Sequence, residues 1–208
     1  MLRLRVLSRT EVESGGADGA DAVVSIRPSS SSPESDLDVA LAQASRGEST
    51  RLLRLPFDDI GIATYGHYVG PTMEQVSEAI EFGRAIVDGT NLFDGAVTDP
   101  LIAVHCEHGK SRSAAIALAL LADHFGAGNE REAVNALLRA DTEGRMHPNP
   151  LVVSLADSCL LRYGRIDEVL AEASPAYVWW RGVWREIAAD PEAHWERTSR
   201  ILSGRRRR

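Results

Sequence analysis

Cysteine is scarce in this chain of 208 residues, which contains only Cys106 and Cys159. Two cysteines are too few for the disulfide framework of a secreted protein, and free thiols suit a reducing compartment. The chain also lacks an apolar run of signal-peptide length near its start, and no later segment approaches the length of a membrane span. We therefore expect a cytoplasmic protein.

Basic residues are fewer than acidic ones, 23 Lys and Arg against 30 Asp and Glu, and the net charge is -7. A molecule with this charge repels nucleic acid and anionic membranes unless a local basic patch outweighs the average. The four arginines at 205–208 form too short a run to supply many phosphate contacts, and we interpret them as a solvated tail. We expect neither nucleic acid nor a membrane as a partner, and the oligomeric state stays open.

Short apolar runs that alternate with segments of helical spacing predict the fold class. The predicted strands are 2–7, 22–26, 51–55 and 101–105, and the predicted helices include 72–86, 113–124, 129–140 and 149–164. The glycine-rich and charged segment 8–21 predicts a mobile loop. This alternation favours an α/β fold with a small, mostly parallel central sheet flanked by helices. With 44% hydrophobic residues, the chain can form one domain with a substantial core.

The last part of the chain differs in composition from the rest. All four tryptophans lie beyond residue 173, on two helix-like stretches divided by Pro191. We therefore divide the chain into a core domain at 1–173 and a Trp-rich helical C-terminal extension at 174–208, which includes the basic tail. The tryptophans of such an extension are core or oligomer contacts in our interpretation.

The run VHCEHGKSRSA, residues 104–114, concentrates reactive and polar side chains and has three possible interpretations. A metal site could use His105, Cys106 and His108, but no second ligand pair stands at a familiar spacing, so we expect no metal and no other cofactor. A Walker A nucleotide loop needs a glycine five positions before Gly109, where Val104 stands. The third interpretation is a nucleophilic cysteine in an anion cradle.

The third interpretation gives a physical task to each residue type in the run. Cys106 ends a buried strand and Arg112 begins a helix, so residues 107–111 must curl and turn their backbone N–H groups inward. Together with the positive end of the helix, this ring of donors binds a phosphate and stabilises a thiolate. Arg112 supplies a planar fork that matches two phosphoryl oxygens, and Ser113 can donate a hydroxyl proton to the sulfur. Gly109 lets the backbone approach the anion.

The sequence HCEHGKSRS matches HCxxGxxRS, the signature of cysteine-dependent protein tyrosine phosphatases in their dual-specificity form. The surrounding segments FDDI, PNPLVVSLAD and VVSI also resemble a bacterial group of predicted tyrosine phosphatases, and the similarity covers about residues 22–172. The resemblance implies that 1–173 is a phosphatase domain with its signature at 105–113. It further implies hydrolysis through a phosphocysteine intermediate, with a phosphorylated protein or small phosphomonoester as the substrate.

Such a reaction needs a carboxylic acid that protonates the leaving oxygen. Loops at the carboxyl ends of parallel strands share one edge of the sheet, so strand 51–55 delivers Asp58 and Asp59 to the edge that holds Cys106. Asp99 precedes its strand and lies about 20 Å away, at roughly 3.3 Å per residue. The family carries its acid soon after an Ile-Pro-x-x-Asp pattern, which resembles LPFDD at 55–59 with Asp59 in the acid's place. Asp58 stays the second candidate, or a turn residue.

The remaining candidates bind the phosphate or support the loop that binds it. The phosphate-binding set consists of Glu107, His108, Gly109, Lys110, Ser111 and Arg112. By resemblance, His105 holds the backbone of the loop by hydrogen bonding, and Asn149 caps the next helix and braces the loop. Lys110 adds positive potential, whereas Glu107 argues against phosphoinositide substrates. Cys159 lies on an apolar helix face and is interpreted as inert core.

Two other functions stay open at this point. The loop could hold a phosphorylated partner without hydrolysing it, which would make the protein a catalytically weak phosphate-binding module. A thiolate in an anion cradle also suits a sulfurtransferase or an arsenate reductase. Rhodanese-type loops lack the HCxxGxxRS pattern, and arsenate-reducing relatives of the low-molecular-weight phosphatases carry their cysteine near the chain start. Both facts favour the phosphatase.

Overall fold

The computed structural model describes residues 1–30, 35–44, 51–91 and 99–205. The four predicted strands are present and form one parallel sheet in the order β1-β6-β2-β3. These strands are β1 (Arg3–Ser8), β2 (Ala22–Arg27), β3 (Arg51–Pro56) and β6 (Leu101–Cys106). Between β3 and β6 the chain forms an antiparallel hairpin of β4 (Thr64–Tyr65) and β5 (Tyr68–Val69), which the sequence did not predict. The predicted α/β class with a small parallel sheet is confirmed.

Helices flank this sheet and continue to the end of the described chain. They are α1 (Arg9–Glu13), α2 (Ser35–Ala44), α3 (Met73–Asn91), α4 (Arg112–Phe125), α5 (Glu130–Ala140), α6 (Pro150–Cys159), α7 (Arg165–Ala173), α8 (Pro175–Ala189) and α9 (Pro191–Arg205). The predicted helices 72–86, 113–124 and 129–140 correspond to α3, α4 and α5 within a few residues at each end. The alternation of strand and helix places the carboxyl ends of all four parallel strands at one edge of the sheet.

The prediction of a loop over residues 8–21 is wrong in its first part. Ser8 accepts a hydrogen bond from the Glu11 backbone while the Glu11 carboxylate accepts one from the Ser8 backbone, and this capping box starts α1. Val12 on α1 and Ala17 after it are buried against the sheet. The capping box and these apolar contacts order a segment whose glycine content favours a loop.

The predicted helix 149–164 is also wrong in its second half. Helix α6 ends at Cys159, and Leu161 and Tyr163 both adopt positive φ angles of 54°. Gly164 does not end this helix but stands at the N-cap of α7, with a φ of 84°. The Asp157 carboxylate accepts hydrogen bonds from the backbone N–H groups of residues 166 and 167. These N–H groups lie in the first turn of α7 and have no acceptor within that helix, so Asp157 caps it.

The two faces of the sheet carry different cores, and β6 contributes to both. Ile102, Val104 and Cys106 face the larger core, which is built with α3 to α7. Leu101 and Ala103 face the smaller core against α1 and α2. Since successive strand residues point to opposite faces, His105 points to the smaller core, away from Cys106.

The Trp-rich extension packs on the core domain through two helices. Tyr177 of α8 joins the larger core, whereas Trp184 and Ile187 form a third cluster with Ile60 and Tyr65. The boundary at residue 173 stays a prediction, and the last three arginines of the predicted basic tail lie outside the described residues. Within the ranges that the structure describes, no helix combines the length and the apolar character needed to cross a lipid bilayer.

Candidate active site

Cys106 lies at the carboxyl end of β6 and is only 2% exposed. Its Sγ lies 3.1 Å from Oγ of Ser113, a fully buried residue in the first turn of α4. The strand and the helix that the signature joins therefore bring a thiol and a hydroxyl into hydrogen-bond contact. This is the arrangement in which the hydroxyl can stabilise a negative charge on the sulfur.

Residues 107–111, which we name the signature loop, turn several backbone carbonyls outward. The carbonyl of Glu107 accepts from Arg9 N (3.2 Å), that of Lys110 from His147 N (3.0 Å), and that of Ser111 from Asn149 N (3.2 Å). The chain has no cis peptide bond among the described residues, and a trans peptide directs its N–H opposite to its carbonyl. The N–H groups that follow these carbonyls, at positions 108, 111 and 112, therefore point away from the segments that surround the loop.

Most side chains of the signature loop are at least partly exposed to solvent. Glu107 and His108 are exposed, and Gly109 and Lys110 are half-buried. With the start of α4, the N–H groups at positions 108, 111 and 112 could serve an anion as donors, and Lys110 adds a positive charge nearby. The predicted ring of donors stays a prediction. Ser111 is the buried member of the loop, and its hydroxyl has a separate partner described below.

Gly109 lies against the N-terminal strand, a contact that the sequence did not suggest. Its φ is +67°, and a Cβ at this position would lie 2.7 Å from Ser8 N and 2.8 Å from the Leu7 carbonyl carbon. Ser8 also pairs with His108 as an isolated antiparallel bridge. The first strand, which lies outside the segment that resembles the family, therefore supports the back of the signature loop.

Arg112 begins α4 and is only 4% exposed, which is unusual for a guanidinium. Its Nη1 donates to the Phe57 carbonyl at 3.0 Å, which orients the side chain along the sheet edge. Its Nε is buried and has no hydrogen-bond partner in the part of the chain that the structure describes. An unpaired buried donor costs about 1–3 kcal/mol, a cost that an acceptor bound at this position would remove.

Asp58 and Asp59 follow β3 and have different surroundings. Asp58 is buried, and its Oδ2 accepts hydrogen bonds from Ser29 Oγ and Val69 N, both at 2.8 Å. Asp59 is half-buried, and its Oδ1 accepts from Ser111 Oγ at 2.7 Å. Asp58 thus fastens the β4-β5 hairpin, whereas Asp59 directly contacts the signature loop.

Asn149 connects the same carboxylate to the next helix. It is fully buried, and its Oδ1 accepts from the N–H groups of residues 151 and 152, which caps α6 as predicted. Its Nδ2 donates to Asp59 Oδ1 and to the Ile60 carbonyl, both at 3.0 Å. The residue therefore joins α6, Asp59 and the backbone of the signature loop in one hydrogen-bonded unit.

His105 is buried on the opposite face of the sheet from Cys106. Burial, helped by the positive charges of Arg27 and Arg112, lowers the pKa of its imidazole to about 4. Neither ring nitrogen makes a hydrogen bond of regular geometry among the described residues, although the backbone of Cys106 lies close enough to act on the imidazole pKa. The predicted hydrogen bond to the loop backbone stays a prediction. His105 is thus a neutral, buried neighbour of the site.

The other residues considered from the sequence lie away from this edge. Asp99 contacts the amino group of Met1 at the amino end of β6, as its position before the strand predicts. Cys159 lies at the end of α6, and burial raises the pKa of its thiol. In the described ranges no three His, Cys, Asp or Glu side chains are grouped as metal ligands would be.

Sequence reasoning missed the backbone groups that complete the site. The carbonyl of Phe57 orients Arg112, and the backbone of Leu7 and Ser8 supports Gly109. A carbonyl has no sequence signature, since every residue carries one. The capping pattern of Ser8 and Glu11 was the one local signal that could have predicted a turn of helix beside the loop.

Comparison with known proteins agrees with this geometry at the level of fold. No family model and no curated protein sequence matches the chain. Among solved structures, human DUSP28 is similar with a TM-score of 0.50 and 17% identity over 79% of this chain and 99% of that one. Tk-PTP in its active form has a TM-score of 0.47 and 18% identity over 77% and 92% of the two chains. Another similar structure is human tyrosine phosphatase-like serine/threonine/tyrosine-interacting protein, with a TM-score of 0.48 and 17% identity over 77% and 92%.

These identities are too low to carry over an activity, and the predicted bacterial grouping stays a prediction. The parallel sheet, the flanking helices and the strand-loop-helix signature nevertheless agree with the similarity that the signature indicated. The chain therefore has the fold of the dual-specificity and protein tyrosine phosphatases.

Proposed function

We propose that the chain is a cysteine-based phosphomonoester hydrolase of the protein tyrosine or dual-specificity type. The observation that carries this proposal is the pair formed by buried Cys106 and buried Arg112 at the two ends of the signature loop. The guanidinium contacts a neutral carbonyl, and its Nε–H is buried without a partner among the described residues. A phosphoryl oxygen of a bound substrate would supply that partner.

In the first half of the reaction, the Cys106 thiolate attacks phosphorus and forms an S–P bond. The bond between phosphorus and the leaving oxygen breaks, and Asp59 gives its proton to that oxygen. Arg112 and the inward N–H groups of the signature loop hold the other phosphoryl oxygens while charge develops on them. The products of this half are the free alcohol or phenol and a phosphocysteine.

In the second half, water attacks the phosphorus of the phosphocysteine. Asp59, now ionised, takes a proton from this water, and the S–P bond breaks to release phosphate. Ser113 supports this step because its hydroxyl, 3.1 Å from the sulfur, can donate to the departing thiolate. The enzyme returns to its starting state without a net change in charge or redox state.

The first experiment measures hydrolysis of p-nitrophenyl phosphate together with binding of tungstate. Cys106→Ser should lower turnover below about a thousandth of the wild-type rate while tungstate binding persists, because the hydroxyl is a poor nucleophile without a base. Cys159→Ser is the matched control and should keep full activity. Full activity in Cys106→Ser would end the proposal, and a wild type that binds tungstate without any turnover would favour a binding module.

The second experiment distinguishes the two neighbouring aspartates. Asp59→Asn should lower kcat by about 10²–10⁴ for alkyl phosphates, less for aryl phosphates with good leaving groups, and flatten the pH profile. Asp58→Asn should mainly lower stability, since Asp58 accepts two hydrogen bonds from groups outside the signature loop. The opposite outcome would make Asp58 the acid.

We further propose that the enzyme acts in the cytoplasm on phosphotyrosine in proteins. Both cysteines are free thiols, and the reaction needs Cys106 reduced, a state that the cytoplasm maintains.

A panel of phosphopeptides, inositol phosphates and RNA 5′-phosphates, tested with the wild type and Cys106→Ser, identifies the preferred class of substrate. Selective turnover of inositol phosphates would contradict the protein substrate.

A further inference from the structure

Residues 57–63, which join β3 to the β4-β5 hairpin, carry both aspartates and are held from two sides. On the inner side, Asp59 accepts from Ser111 and Asn149, as described above. The outer side of this 57–63 loop faces the C-terminal extension. Nothing in the sequence connects the tryptophans to the site, so this second contact is a property of the tertiary structure alone.

The hairpin and the 57–63 loop behave as one unit because backbone and side-chain hydrogen bonds join them. Asp58 N donates to the Val69 carbonyl at 2.7 Å, and Val69 N donates to the Asp58 carboxylate at 2.8 Å. Gly70 N donates to the Ala63 carbonyl at 2.9 Å. A displacement of the hairpin would therefore be transmitted to Asp58 and to Asp59 next to it.

An apolar cluster fixes this unit to α8. Ile60 of the loop and Tyr65 of the hairpin are buried against Trp184 and Ile187. The indole of Trp184 lies directly on the backbone of Gly61, where an added Cβ would lie 2.7 Å from Trp184 Cβ. Because the Cβ of Trp184 is attached directly to the backbone of α8, it cannot move aside as the far end of a flexible side chain can, so glycine is required at position 61.

Helix α9 holds the tip of the hairpin in the same way. An added Cβ on Gly66, whose φ is +59°, would lie 2.5 Å from Cδ2 of Trp195. The Tyr65 hydroxyl lies 2.6 Å from Nδ1 of His194, and the Tyr65 and Trp195 rings meet edge to face at 5.0 Å. Hydrogen bonding and aromatic contact thus act on the hairpin together.

We infer that helices α8 and α9 act as a clamp on the 57–63 loop, with Trp184 and Trp195 as positioning residues for Asp59. This inference rests on the proposed function, in which Asp59 is the general acid. Without the clamp the loop would be held only from its inner side, and it would occupy the catalytic position for part of the time. A group that is in place for about a tenth of the time contributes about a tenth of its effect.

The test compares Trp184→Ala and Trp195→Ala with Trp179→Ala, whose side chain is 67% exposed on α8. The first two variants should lower kcat for an alkyl phosphate about tenfold and change it no more than about twofold for an activated aryl phosphate. Tungstate binding should be unchanged, because the clamp does not contact the signature loop. Trp184→Phe should restore part of the loss, and Trp179→Ala should behave as the wild type.

Hydrogen exchange provides a readout that does not depend on catalysis. Amides of residues 58–70 should exchange at least tenfold faster in both clamp variants, whereas those of 113–124 should not change. If the wild type proves inactive but this exchange pattern appears, the clamp stands and the proposed function fails. The clamp is refuted if both variants leave unchanged the exchange rates at 58–70 and the dependence of kcat on the leaving group. If Trp184→Ala does not fold, Trp195→Ala alone decides.

Discussion

The contact between Gly109 and the N-terminal strand predicts the effect of a single methyl group. Gly109→Ala places a Cβ 2.7 Å from Ser8 N and 2.8 Å from the Leu7 carbonyl carbon, with φ at +67°. The left-handed conformation costs a non-glycine residue about 1–2 kcal/mol. Both neighbouring atoms belong to the backbone of β1, which is paired along its length with β6, so they cannot move aside freely. Overpacking of this kind adds about 1–3 kcal/mol.

The total destabilisation by Gly109→Ala is therefore about 2–5 kcal/mol, which lowers Tm by roughly 4–20 °C in a protein of this size. Gly144→Ala is a matched control, because Gly144 has a φ of +62° with nothing within 4 Å of an added Cβ. It carries the conformational cost alone and should lower Tm by roughly 2–8 °C. The difference between the two variants measures the contact with β1.

Thermal unfolding with and without tungstate is the assay for this prediction. A ligand at a hundred times its Kd stabilises the folded wild type by about 2.7 kcal/mol. Gly109→Ala should lose this stabilisation, because relief of the contact moves the N–H groups that bind the anion, whereas Gly144→Ala should keep it. Equal losses of Tm in the two variants, or a full tungstate shift in Gly109→Ala, would refute the reasoning.

Two further predictions concern buried polar residues. Burial lowers the pKa of His105 to about 4, below its value of about 6.5 in the unfolded chain, so the unfolded state binds the extra proton first as the pH falls. The free energy of unfolding should therefore decrease by on the order of 3 kcal/mol between pH 7 and pH 4. In urea titrations, His105→Gln should make the free energy of unfolding depend less on pH over this range, and an unchanged dependence would contradict the prediction. Asn149→Ala removes the cap of α6 and leaves the Ile60 carbonyl without its donor, so urea unfolding should show a loss of about 2–4 kcal/mol. A loss below about 1 kcal/mol would mean that the neighbouring chain replaces both contacts.

Local patterns predicted most of the regular structure around the site. The apolar run at 101–105 and the alanine-rich segment after it predicted a strand and a helix, with Cys106 and Arg112 at the two ends of the loop between them. The β4-β5 hairpin escaped prediction because its strands have two residues each, which is too short for any periodicity. The end of α6 escaped it because Asp157, a residue inside the helix, caps the next helix.

The tertiary structure distinguished the two aspartates, which their neighbours along the chain could not do. Asp58 and Asp59 are adjacent and chemically identical, and only their partners differ. Those partners come from residues 29 and 69 in one case and from residues 111 and 149 in the other. The direction of each side chain depends on where β3 ends relative to β6, which is set by the register of the whole sheet.

By itself the sequence determined the fold class, the signature loop and the cysteine and arginine on either side of it, because these depend on residue type and on spacing within a few turns of chain. Folding decided the rest: the support of Gly109 by β1, the neutral burial of His105, and the packing of the C-terminal tryptophans on the 57–63 loop. These contacts join residues that are far apart along the chain. Their geometry follows from how layers of the fold pack together, and no local preference of the chain specifies it.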